Sequence, residues 1–411
     1  MKPIAGYLVI LSAILSFAWG LPFFYSMAAK KKAVRPFVSY SVVIDDFVYS
    51  KQSRGKTVYM DMAGNEYSLM EYEKLLPLFF TRDLQKWGEY PQDIGGVHIP
   101  AEKAVNFRDT ARISPHFVDM SRARIQLFPL FEAESSFTSL EFPKELFRIK
   151  NRMEFINAAD NRINREKSAL FTEALKNENF AFPAKMISGN TYPRKPYDFG
   201  YFVLDAENSL YHIYQAKGEP VVKNTGIAVN NIAFMLIREN NHLPYYGLLV
   251  DSDGGVWQIL KDGYKLFKLD VKDYDPYRKT LVYMLDPLNI TLKVSDEKGE
   301  AIRITTLDGE LVKEYNGKFE RNIYGAGLYN ALFPFILRNN PYKYGEYIDF
   351  AISRNYPAAL IFSAVLAFLY LIFIKRAGGK RYFLINTSLI ILSGIYAFAA
   401  ILLLEGIKRR Q

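Results

Sequence analysis

Residues 248–260 read LLVDSDGGVWQIL, two short apolar runs on either side of a turn rich in Asp and Gly. Runs of β-branched and aromatic residues bounded by such turns are typical of β-strands. The Asp and Gly residues favour a tight hairpin, because they tolerate the positive φ angles that hairpin turns use. A second turn at Asp262 and Gly263 leads into YKLF at residues 264–267. The segment therefore predicts strand, turn, strand, turn, strand.

The same order of apolar runs and turns occurs in residues 202–222 and 292–312. The intervals from Asp205 to Asp251 and from Asp251 to Ser295 are 46 and 44 residues, which indicates a period near 45. Further apolar strands precede the second and third segments, and four strands per period is the composition of a propeller blade. An ordinary antiparallel meander predicts the same turns, so both architectures stay open. The fold class is mainly β with some α.

The chain ahead of these units has a mixed pattern. Ser68 and Glu71 have the spacing of a capping box at a helix start, and Asn164 can cap a second helix that runs to Lys176. We predict a mixed α/β part over residues 36–192 and repeated β units over 197–320. A helical segment near the membrane is expected over 324–350.

Three uncharged segments frame this middle part. We predict membrane helices over residues 4–29, 355–374 and 382–404, because about 20 apolar residues are needed to span a bilayer. The first segment has a signal peptide as its alternative, and the other two have buried core helices as theirs. The three contain no Asp, Glu, Lys, Arg or His, so they are expected to anchor the protein rather than to line a transport path.

The orientation of the middle part rests on two opposing observations. With three spans, five Lys or Arg residues lie on the N-terminal side and nine on the side of the large domain, which by the positive-inside rule places that domain in the cytoplasm. Large domains cross membranes largely regardless of charge, and the chain has no cysteine. We therefore expect a bacterial inner-membrane protein with a periplasmic domain.

Composition excludes several classes of function. The 411 residues carry a net charge of +9, but much of the basic excess flanks the apolar segments, so nucleic-acid binding is not expected. Without cysteine there are no thiolate metal sites, disulfides or cysteine nucleophiles. The sequence lacks a nucleophile elbow, a phosphate loop and a dinucleotide fingerprint. We predict no catalytic, cofactor-binding or metal-binding residues, no cofactor, and no enzymatic activity.

Two weaker signals were weighed against structural roles. The DSDG run at residues 251–254 resembles the start of a calcium loop, but the later ligands are missing and a hairpin turn is preferred. No two of the four histidines have helical metal-binding spacing, and His212 is expected at a strand surface or edge; the four are His98, His116, His212 and His242.

Aromatic residues on the predicted strands are the remaining candidates for function. They could stack on a sugar or a partner protein, or pack across strands within the sheet; they are Tyr211, Tyr214, Trp257, Tyr264 and Tyr283.

A family resemblance that covers nearly the whole chain rests on three short sequence segments. They are RMEFIN at 152–157, KSALFTEAL at 167–175 and DPLN at 286–289. With the apolar frame, the sequence resembles an uncharacterised family of membrane-anchored proteins of the Bacteroides group that contains a domain of unknown function. The resemblance implies a gene neighbourhood with ABC-type transporters, and hence an accessory role at a permease. It implies no catalytic residues.

These observations lead to one expected function and two alternatives. We expect a non-enzymatic, membrane-anchored accessory or binding protein with a β-rich extracytoplasmic domain. Its expected partners are the membrane and other membrane proteins, an ABC-type permease among them, and the small-molecule ligand is not specified. The alternatives are an envelope hydrolase acting on glycan or peptide and a scaffold that faces the cytosol.

Overall fold

The chain forms two compact units. The computed structural model describes residues 3–29, 35–53, 55–120, 126–134, 140–195, 198–296, 298–319, 326–339, 348–353, 355–377 and 383–410. One unit, here the β unit, comprises residues 35–319, and the other, the apolar unit, comprises residues 1–34 and 320–411. The basic residues predicted to flank the membrane at 30–34, 354 and 378–381 lie outside the described residues.

The β unit is built from antiparallel meanders. Sheet 1 consists of β1 (Phe37–Ser41), β2 (Asp46–Ser53), β3 (Lys56–Asp61) and β4 (Glu66–Tyr67). The connection to the next sheet contains α2 (Leu69–Leu75), α3 (Thr81–Trp87), the two-stranded pair β5 (Asp93–Ile94) and β6 (Val97–His98), α4 (Ala101–Asn106), β7 (Asp109–Ile113) and α5 (Pro115–Met120). Sheet 2 consists of β8 (Phe128–Pro129), β9 (Glu145–Ile149), β10 (Met153–Asn157) and β11 (Ile163–Asn164), followed by α6 (Arg165–Asn177).

Three further meanders follow. Sheet 3 consists of β12 (Met186–Gly189), β13 (Tyr201–Leu204), β14 (Ser209–Ala216) and β15 (Glu219–Ala228). Sheet 4 consists of β16 (Ile232–Ile237), β17 (Tyr245–Asp251), β18 (Val256–Leu260) and β19 (Leu266–Lys268). Sheet 5 consists of β20 (Thr280–Leu285), β21 (Asn289–Ser295), β22 (Gly299–Thr306) and β23 (Leu311–Lys318), with β7 paired to β20. The described strands are antiparallel within these sheets and form no closed barrel.

Successive sheets share hydrophobic cores. Sheets 2 and 3 pack around Phe147 and Tyr201, and sheets 3 and 4 around Phe202 and Leu249. The core between sheets 4 and 5 contains Val250, Leu281 and Tyr283. The core between sheets 5 and 1 contains Ile302, Val38 and Phe47. Alternating apolar residues on the strands supply these contacts, because successive side chains of a strand point to opposite faces.

The predicted helix caps are confirmed. Ser68 accepts a hydrogen bond from the Glu71 amide while the Glu71 carboxylate accepts one from the Ser68 amide. Asn164 accepts from the Lys167 amide and begins α6. In the turn at 251–255, Asp251 Oδ1 accepts from the amides of Asp253 and Gly255. These bonds join residues close in sequence, which is why the sequence pattern was sufficient to predict them.

The apolar unit contains α1 (Pro3–Ala29), α7 (Ala326–Leu332), a hairpin of β24 (Phe335–Asn339) and β25 (Ile348–Ile352), α8 (Tyr356–Ala377), α9 (Phe383–Ser393) and α10 (Ile395–Arg410). Alanine, aliphatic and aromatic residues form its core; among them are Ile14, Ala18, Ala367, Tyr370, Tyr396 and Ala397. Within the described residues, one helix, Gly6–Ala29, is long and apolar enough to cross a membrane, as a signal sequence also would be.

Three predicted boundaries are wrong. The helical segment expected over 324–350 changes to a β-hairpin after Leu332, because Pro334 has no amide to continue the helix and Phe335 pairs with Ile352. The helix expected over 382–404 is divided at Gly394, whose φ of +57° is left-handed and which lies too close to Pro334 and Ser363 for a side chain.

The third error concerns the start of the repeated β units. Strand β12 at 186–189 lies ahead of the predicted boundary at residue 197 and pairs with β13 in sheet 3. The Pro-rich segment at 193–196 indicated a linker, but it lies within the connection between these two strands.

Candidate functional site

A cavity of about 320 Å³ opens at one edge of sheets 3 and 4. The ends of β14 and β18 and the starts of β13 and β17 meet at this edge, because neighbouring strands are antiparallel. We call it the rim cavity. Its lining residues are Ala133, Asp198, Phe199, His212, Tyr214, Lys223, Asn241, Tyr246, Lys261 and Tyr264.

Aromatic rings form much of the wall of the rim cavity. Tyr246 and Tyr264 are stacked with ring centroids 5.5 Å apart and an interplanar angle of 16°. The His212 ring lies 5.0 Å from Tyr246 and 5.2 Å from Tyr214. Behind the wall, His212 stacks on Phe202 at 4.5 Å. These mutual contacts hold the rings in fixed orientations, so a planar or ring-shaped ligand meets a preformed surface.

His212 is a buried, neutral part of this wall. Its Nε2 contacts the Phe199 carbonyl, and its Nδ1 lies 2.9 Å from the Tyr264 hydroxyl. A carbonyl oxygen can only accept, so we assign the proton to Nε2, and the Tyr264 hydroxyl donates to Nδ1. Burial lowers the pKa of His212 to about 4. The imidazole therefore fixes Phe199 and Tyr264 and carries no charge at neutral pH.

A buried ionic cluster of Lys195, Asp198 and Glu239 lies beside the aromatic wall. The Lys195 Nζ atom is 2.5 Å from Asp198 Oδ1, 2.6 Å from Glu239 Oε1 and 2.7 Å from the Asn190 carbonyl. The three side chains are only 3%, 0% and 2% exposed. One ammonium group therefore bridges two carboxylates out of contact with solvent.

Glu239 is fully engaged in holding the cavity in place. Its Oε1 also accepts from the Phe199 amide at 3.1 Å, and its Oε2 accepts from the Asn190 side-chain amide at 2.7 Å. Burial raises the pKa of Glu239 to about 7, against the opposing attraction of the Lys195 ammonium. The carboxylate thereby joins the ionic cluster to Phe199 in the cavity wall.

Asp198 differs from Glu239 because one of its oxygens is unpartnered. Asp198 Oδ2 is buried and has no hydrogen-bond partner among the residues the structure describes, and the residue lines the rim cavity. Leaving a buried acceptor without a donor costs about 1–3 kcal/mol. The Asp198 side chain is 0% exposed, so this oxygen is closed off from the cavity although the residue borders it.

Two lysines supply positive charge to the rim cavity. Lys261 Nζ donates to the Asn240 carbonyl at 2.9 Å and lies 4.7 Å above the Phe199 ring. Burial lowers the pKa of Lys261. Lys223 is exposed at the cavity. Across the described ranges, neither ammonium group forms an ion pair with a carboxylate.

Another cavity, next to sheets 2, 3 and 4, is less suited to specific binding. It measures about 390 Å³ and lies among β8, β12 and β16. Its one charged lining residue, Arg238, is committed to Asp109 through Nε contacts of 2.9 and 3.0 Å, and Asp109 also accepts from the Tyr245 hydroxyl at 2.6 Å. This second ionic cluster joins β7 to sheet 4 and leaves Arg238 no free role in binding a ligand.

The sequence predicted part of the rim cavity. Tyr214 and Tyr264 line it, whereas Tyr211 and Tyr283 are fully buried and Trp257 packs in the core between sheets 3 and 4. The expected surface position of His212 is wrong, because both ring nitrogens are bonded inside the fold.

Four of the other cavity residues lie in loops or at strand ends and have no motif in common; they are Asp198, Phe199, Tyr246 and Lys261. The only local signal was the pairing of charges in the short run from Lys195 to Asp198. No group of three or more metal-ligating side chains occurs in the described part of the chain.

Comparison with known proteins identifies a family without an established activity. A family model described as a domain of unknown function (DUF4857) matches residues 37–304, a span that includes every residue of the rim cavity. No curated protein and no solved structure matches the chain. The resemblance to a domain of unknown function is thus confirmed, while the Bacteroides origin, the membrane anchoring and the transporter gene neighbourhood stay predictions. The chain belongs to the DUF4857 family.

Proposed function

We propose that this protein is a membrane-anchored binding protein that takes its ligand in the rim cavity without transforming it. The observation that carries the proposal is the cavity itself, in which fixed aromatic faces lie beside Lys223 and Lys261, two lysines without carboxylate partners among the described residues. Its volume of about 320 Å³ falls at the lower end of the range for ligand pockets, about 300–1,000 Å³.

The anchor in this proposal is the apolar unit. Helix α1 has the length and composition of a membrane span, and α8 exposes large apolar side chains such as Ile361 and Phe368, which are 68% and 63% exposed. Exposed apolar residues of this density are suited to lipid contact. We propose that α8, and α9 together with α10, also span the membrane, and that the β unit is periplasmic.

The arrangement of the β unit supports a binding role. We propose that sheets 1 to 5 are propeller-like blades, with the rim cavity between the edges of two of them. Blade edges carry loops that vary without disturbing the sheets, which makes them suitable for ligand recognition. The wider role proposed is that of an accessory subunit of an envelope complex, an ABC-type exporter among the candidates.

A ligand screen tests the binding proposal. The full chain, purified in mild detergent, is examined by thermal shift with neutral and charged sugars, oligosaccharides and aryl acids, and positive compounds are measured by calorimetry. We expect Tyr246→Ala, which removes one face of the stacked pair, to abolish binding, and Trp87→Ala, outside the cavity, to retain it. A chain that binds none of these compounds, or binding that survives Tyr246→Ala, would contradict the proposal.

Two further experiments test the anchor and the partner. A reporter active only outside the cytoplasm, fused after Phe319, is expected to give a signal if the β unit is periplasmic. A signal only from the matched cytoplasmic reporter would instead support the scaffold that faces the cytosol. Co-purification of a permease in mild detergent supports the accessory role, and a solitary protein in several detergents contradicts it.

A hydrolase of glycan or peptide is the second candidate, and Asp198 is the observation that favours it. Asp198 borders the cavity and has one carboxylate oxygen without a partner among the described residues, as a general base requires, but its side chain is 0% exposed. A second carboxylate is needed for the usual glycosidase chemistry, and Glu239 is held by Lys195, Phe199 and Asn190 instead. Release of reducing ends or peptide fragments by the wild type, lost in Asp198→Asn, would favour hydrolysis over binding.

A further inference from the structure

We infer that the hairpin of β24 and β25 lies in the membrane–water interface, with the apolar face of β25 in contact with lipid. This inference rests on the membrane anchor proposed above and extends it to a part of the apolar unit that is not helical. Three observations lead to it: an exposed apolar row on β25, the position of the hairpin at the ends of α1 and α8, and the open edges of its two-stranded sheet.

One face of β25 carries three large, exposed apolar side chains. Ile348, Phe350 and Ile352 are 65%, 60% and 61% exposed. They occupy alternate positions of the strand, so they point to the same side of the hairpin. Single exposed apolar residues are common on soluble proteins, whereas a contiguous group of them marks a surface that contacts a membrane, a ligand or another protein.

Strand β24 does not share this exposure, because it packs on the core of the apolar unit. The Phe335 ring lies 5.3 Å from the Tyr396 ring, and the Tyr396 hydroxyl donates to the Phe335 carbonyl at 2.6 Å. Leu337 packs against the same core. On the neighbouring strand, Phe350 lies 5.3 Å from Phe335. The core of the apolar unit therefore covers β24 and leaves the apolar row of β25 uncovered.

The hairpin lies where the first proposed membrane helix ends. Tyr25, near the C-terminal end of α1, has its ring 5.7 Å from that of Phe333, and Phe333 lies just ahead of β24. Strand β24 itself packs against α1. Directly after β25, the Ser353 hydroxyl donates to the Asn330 carbonyl of α7 at 2.7 Å. Both ends of the hairpin are thus fixed near the C-terminal end of α1.

Chain length also places the apolar row beside the start of α8. Three residues separate Ile352 from Tyr356, the first residue of α8, and this stretch of chain spans at most about 14 Å. Tyrosine is a residue type enriched at membrane surfaces. Helix α1 precedes the β unit in the chain and α8 follows it, so the end of α1 and the start of α8 belong to the same membrane surface. The hairpin is therefore tied to that surface from both sides.

The open edges of the sheet determine its depth. Among the residues that the structure describes, β25 pairs with β24 alone, so the outer edges of both strands have backbone groups without sheet partners. Open sheet edges do not occur in the hydrocarbon centre of a bilayer, because nothing there satisfies these groups. At the interface, water and lipid headgroups can bond to them while apolar side chains reach the acyl chains. The hairpin therefore belongs at the interface and does not cross the membrane.

Continuity with α8 favours lipid over a protein partner. Ile361, Val365 and Phe368 of α8 are 68%, 50% and 63% exposed. The bilayer that covers these side chains begins beside β25, so one surface covers the helix and the strand. A second copy of the chain or another protein on β25 is an outcome that the experiment below distinguishes.

Site-directed spin labelling tests the inference. The chain has no cysteine, so Phe350→Cys provides a single labelling site in the full protein. The labelled protein is reconstituted in vesicles of phosphatidylcholine and phosphatidylglycerol. Collision of the nitroxide with oxygen, which concentrates in lipid, is compared with its collision with a water-soluble nickel chelate. Phe142→Cys is the matched control, at a phenylalanine of the β unit that is 59% exposed.

The ratio of oxygen collisions to chelate collisions is expected to be about tenfold higher at residue 350 than at residue 142, because a polar chelate is excluded from an apolar medium by at least that factor. Ile348→Cys is a second labelling site on the same face and should give the same result if the change at Phe350 disturbs the hairpin. Phe368→Cys, in the middle of α8, reports on the anchor and should give a still higher ratio.

The outcomes distinguish this inference from the proposed anchor. A ratio at residues 348 and 350 equal to that at residue 142, with a high ratio at residue 368, overturns the interfacial hairpin while the anchor stands. Low collision rates with both reagents at residues 348 and 350 would show that a protein surface covers β25, which also overturns it. A ratio at residue 368 as low as that at residue 142 contradicts the anchor and the hairpin inference together.

Discussion

Two ionic clusters involve consecutive residues of the chain and differ in whether each carboxylate oxygen has a partner. Arg238 is bonded to Asp109, and the following residue, Glu239, is bonded to Lys195 beside Asp198. Every carboxylate oxygen of Asp109 has a partner, in Arg238 or in Tyr245. Asp198, in contrast, retains one buried oxygen without a partner in the described structure, and that residue lines a cavity.

The two clusters differ in how completely their carboxylates are satisfied. A buried charge is tolerated when its partners satisfy it, and a satisfied cluster such as that of Asp109 connects elements of the fold. A partly satisfied cluster retains a free energy cost, which lowers the stability of the fold. Burial alone therefore does not show how much an ionic cluster contributes, because the contribution also depends on whether each oxygen has a partner.

Disruption of the Asp109–Arg238 ion pair is predicted to have the largest effect on stability. Asp109→Ala leaves the Arg238 guanidinium and the buried Tyr245 hydroxyl without their acceptor. We expect a loss of about 3–4 kcal/mol in the free energy of unfolding, below the upper end of the range for fully buried pairs because the Arg238 side chain is 34% exposed. Denaturant unfolding measures it, and Asp262→Ala, in the exposed pair with Lys265, is the control that should change little. A loss no larger than that of the control would contradict a stabilising role for Asp109.

Lys195→Met is predicted to have a smaller effect, about 3 kcal/mol. The change leaves Asp198 and Glu239 facing each other without their ammonium group, which favours loss of one charge. Glu239 can relieve part of this by taking up a proton, since burial already raises its pKa to about 7. Unfolding experiments at pH 6 and pH 8 should show the larger loss at pH 8, and equal losses would show that Glu239 does not take up the proton.

The pH dependence of stability is predicted to reveal two opposing groups. Glu239 has a raised folded-state pKa, about 7 against 4.5, so its contribution is present below pH 4.5 and is lost as the pH rises towards 7. His212 has a lowered folded-state pKa, about 4 against 6.5, so stability is lost as the pH falls from 6.5 to 4. Between pH 4.5 and 6.5 the two slopes oppose each other.

Single variants should reveal how each group alone changes the free energy of unfolding with pH. In Glu239→Gln, stability is expected to rise by about 2 kcal/mol from pH 4.5 to 6.5, and in His212→Gln to fall by a similar amount. Thermal unfolding at several pH values measures both. Parallel pH profiles for the two variants would contradict the assignment of the opposing groups.

The smallest predicted effect is that of Tyr264→Phe. The change keeps the stacked ring but removes the donor to His212 Nδ1, which leaves a buried acceptor without a partner. We expect a loss of about 1 kcal/mol. Tyr192→Phe, at a tyrosine that is 56% exposed, is the control. An unchanged free energy of unfolding would indicate that His212 adopts the other tautomer or finds a different donor.

Local features of the fold were predictable from the sequence. The capping box at Ser68, the cap at Asn164 and the Asp251 turn each depend on bonds between residues two to four positions apart. The break at Gly394 was not predicted, since its cause is the close approach of Pro334 and Ser363. The hairpin of β24 and β25 likewise depends on pairing between Phe335 and Ile352. It was not predicted, because the apolar residues of 328–337 have helical spacing.

The candidate site follows the same division. Tyr214 and Tyr264 were among the aromatic residues named on the predicted strands, but nothing in the sequence distinguished them from Tyr211 and Tyr283, which are buried. Asp198 and Tyr246 were missed because the folded chain, and not their sequence neighbours, brings them to one cavity.

The sequence by itself determined the β-rich middle, its turns and helix caps, and the apolar character of both ends, because each depends on interactions within a few residues or on composition. The tertiary structure alone decided which polar groups are satisfied. Asp109 and Asp198 are both acidic residues beside apolar strands. They differ in their partners, which are Arg238 and Tyr245 for Asp109 and Lys195 for Asp198. Burial and hydrogen-bond partners arise from contacts between distant segments, and local sequence does not encode them.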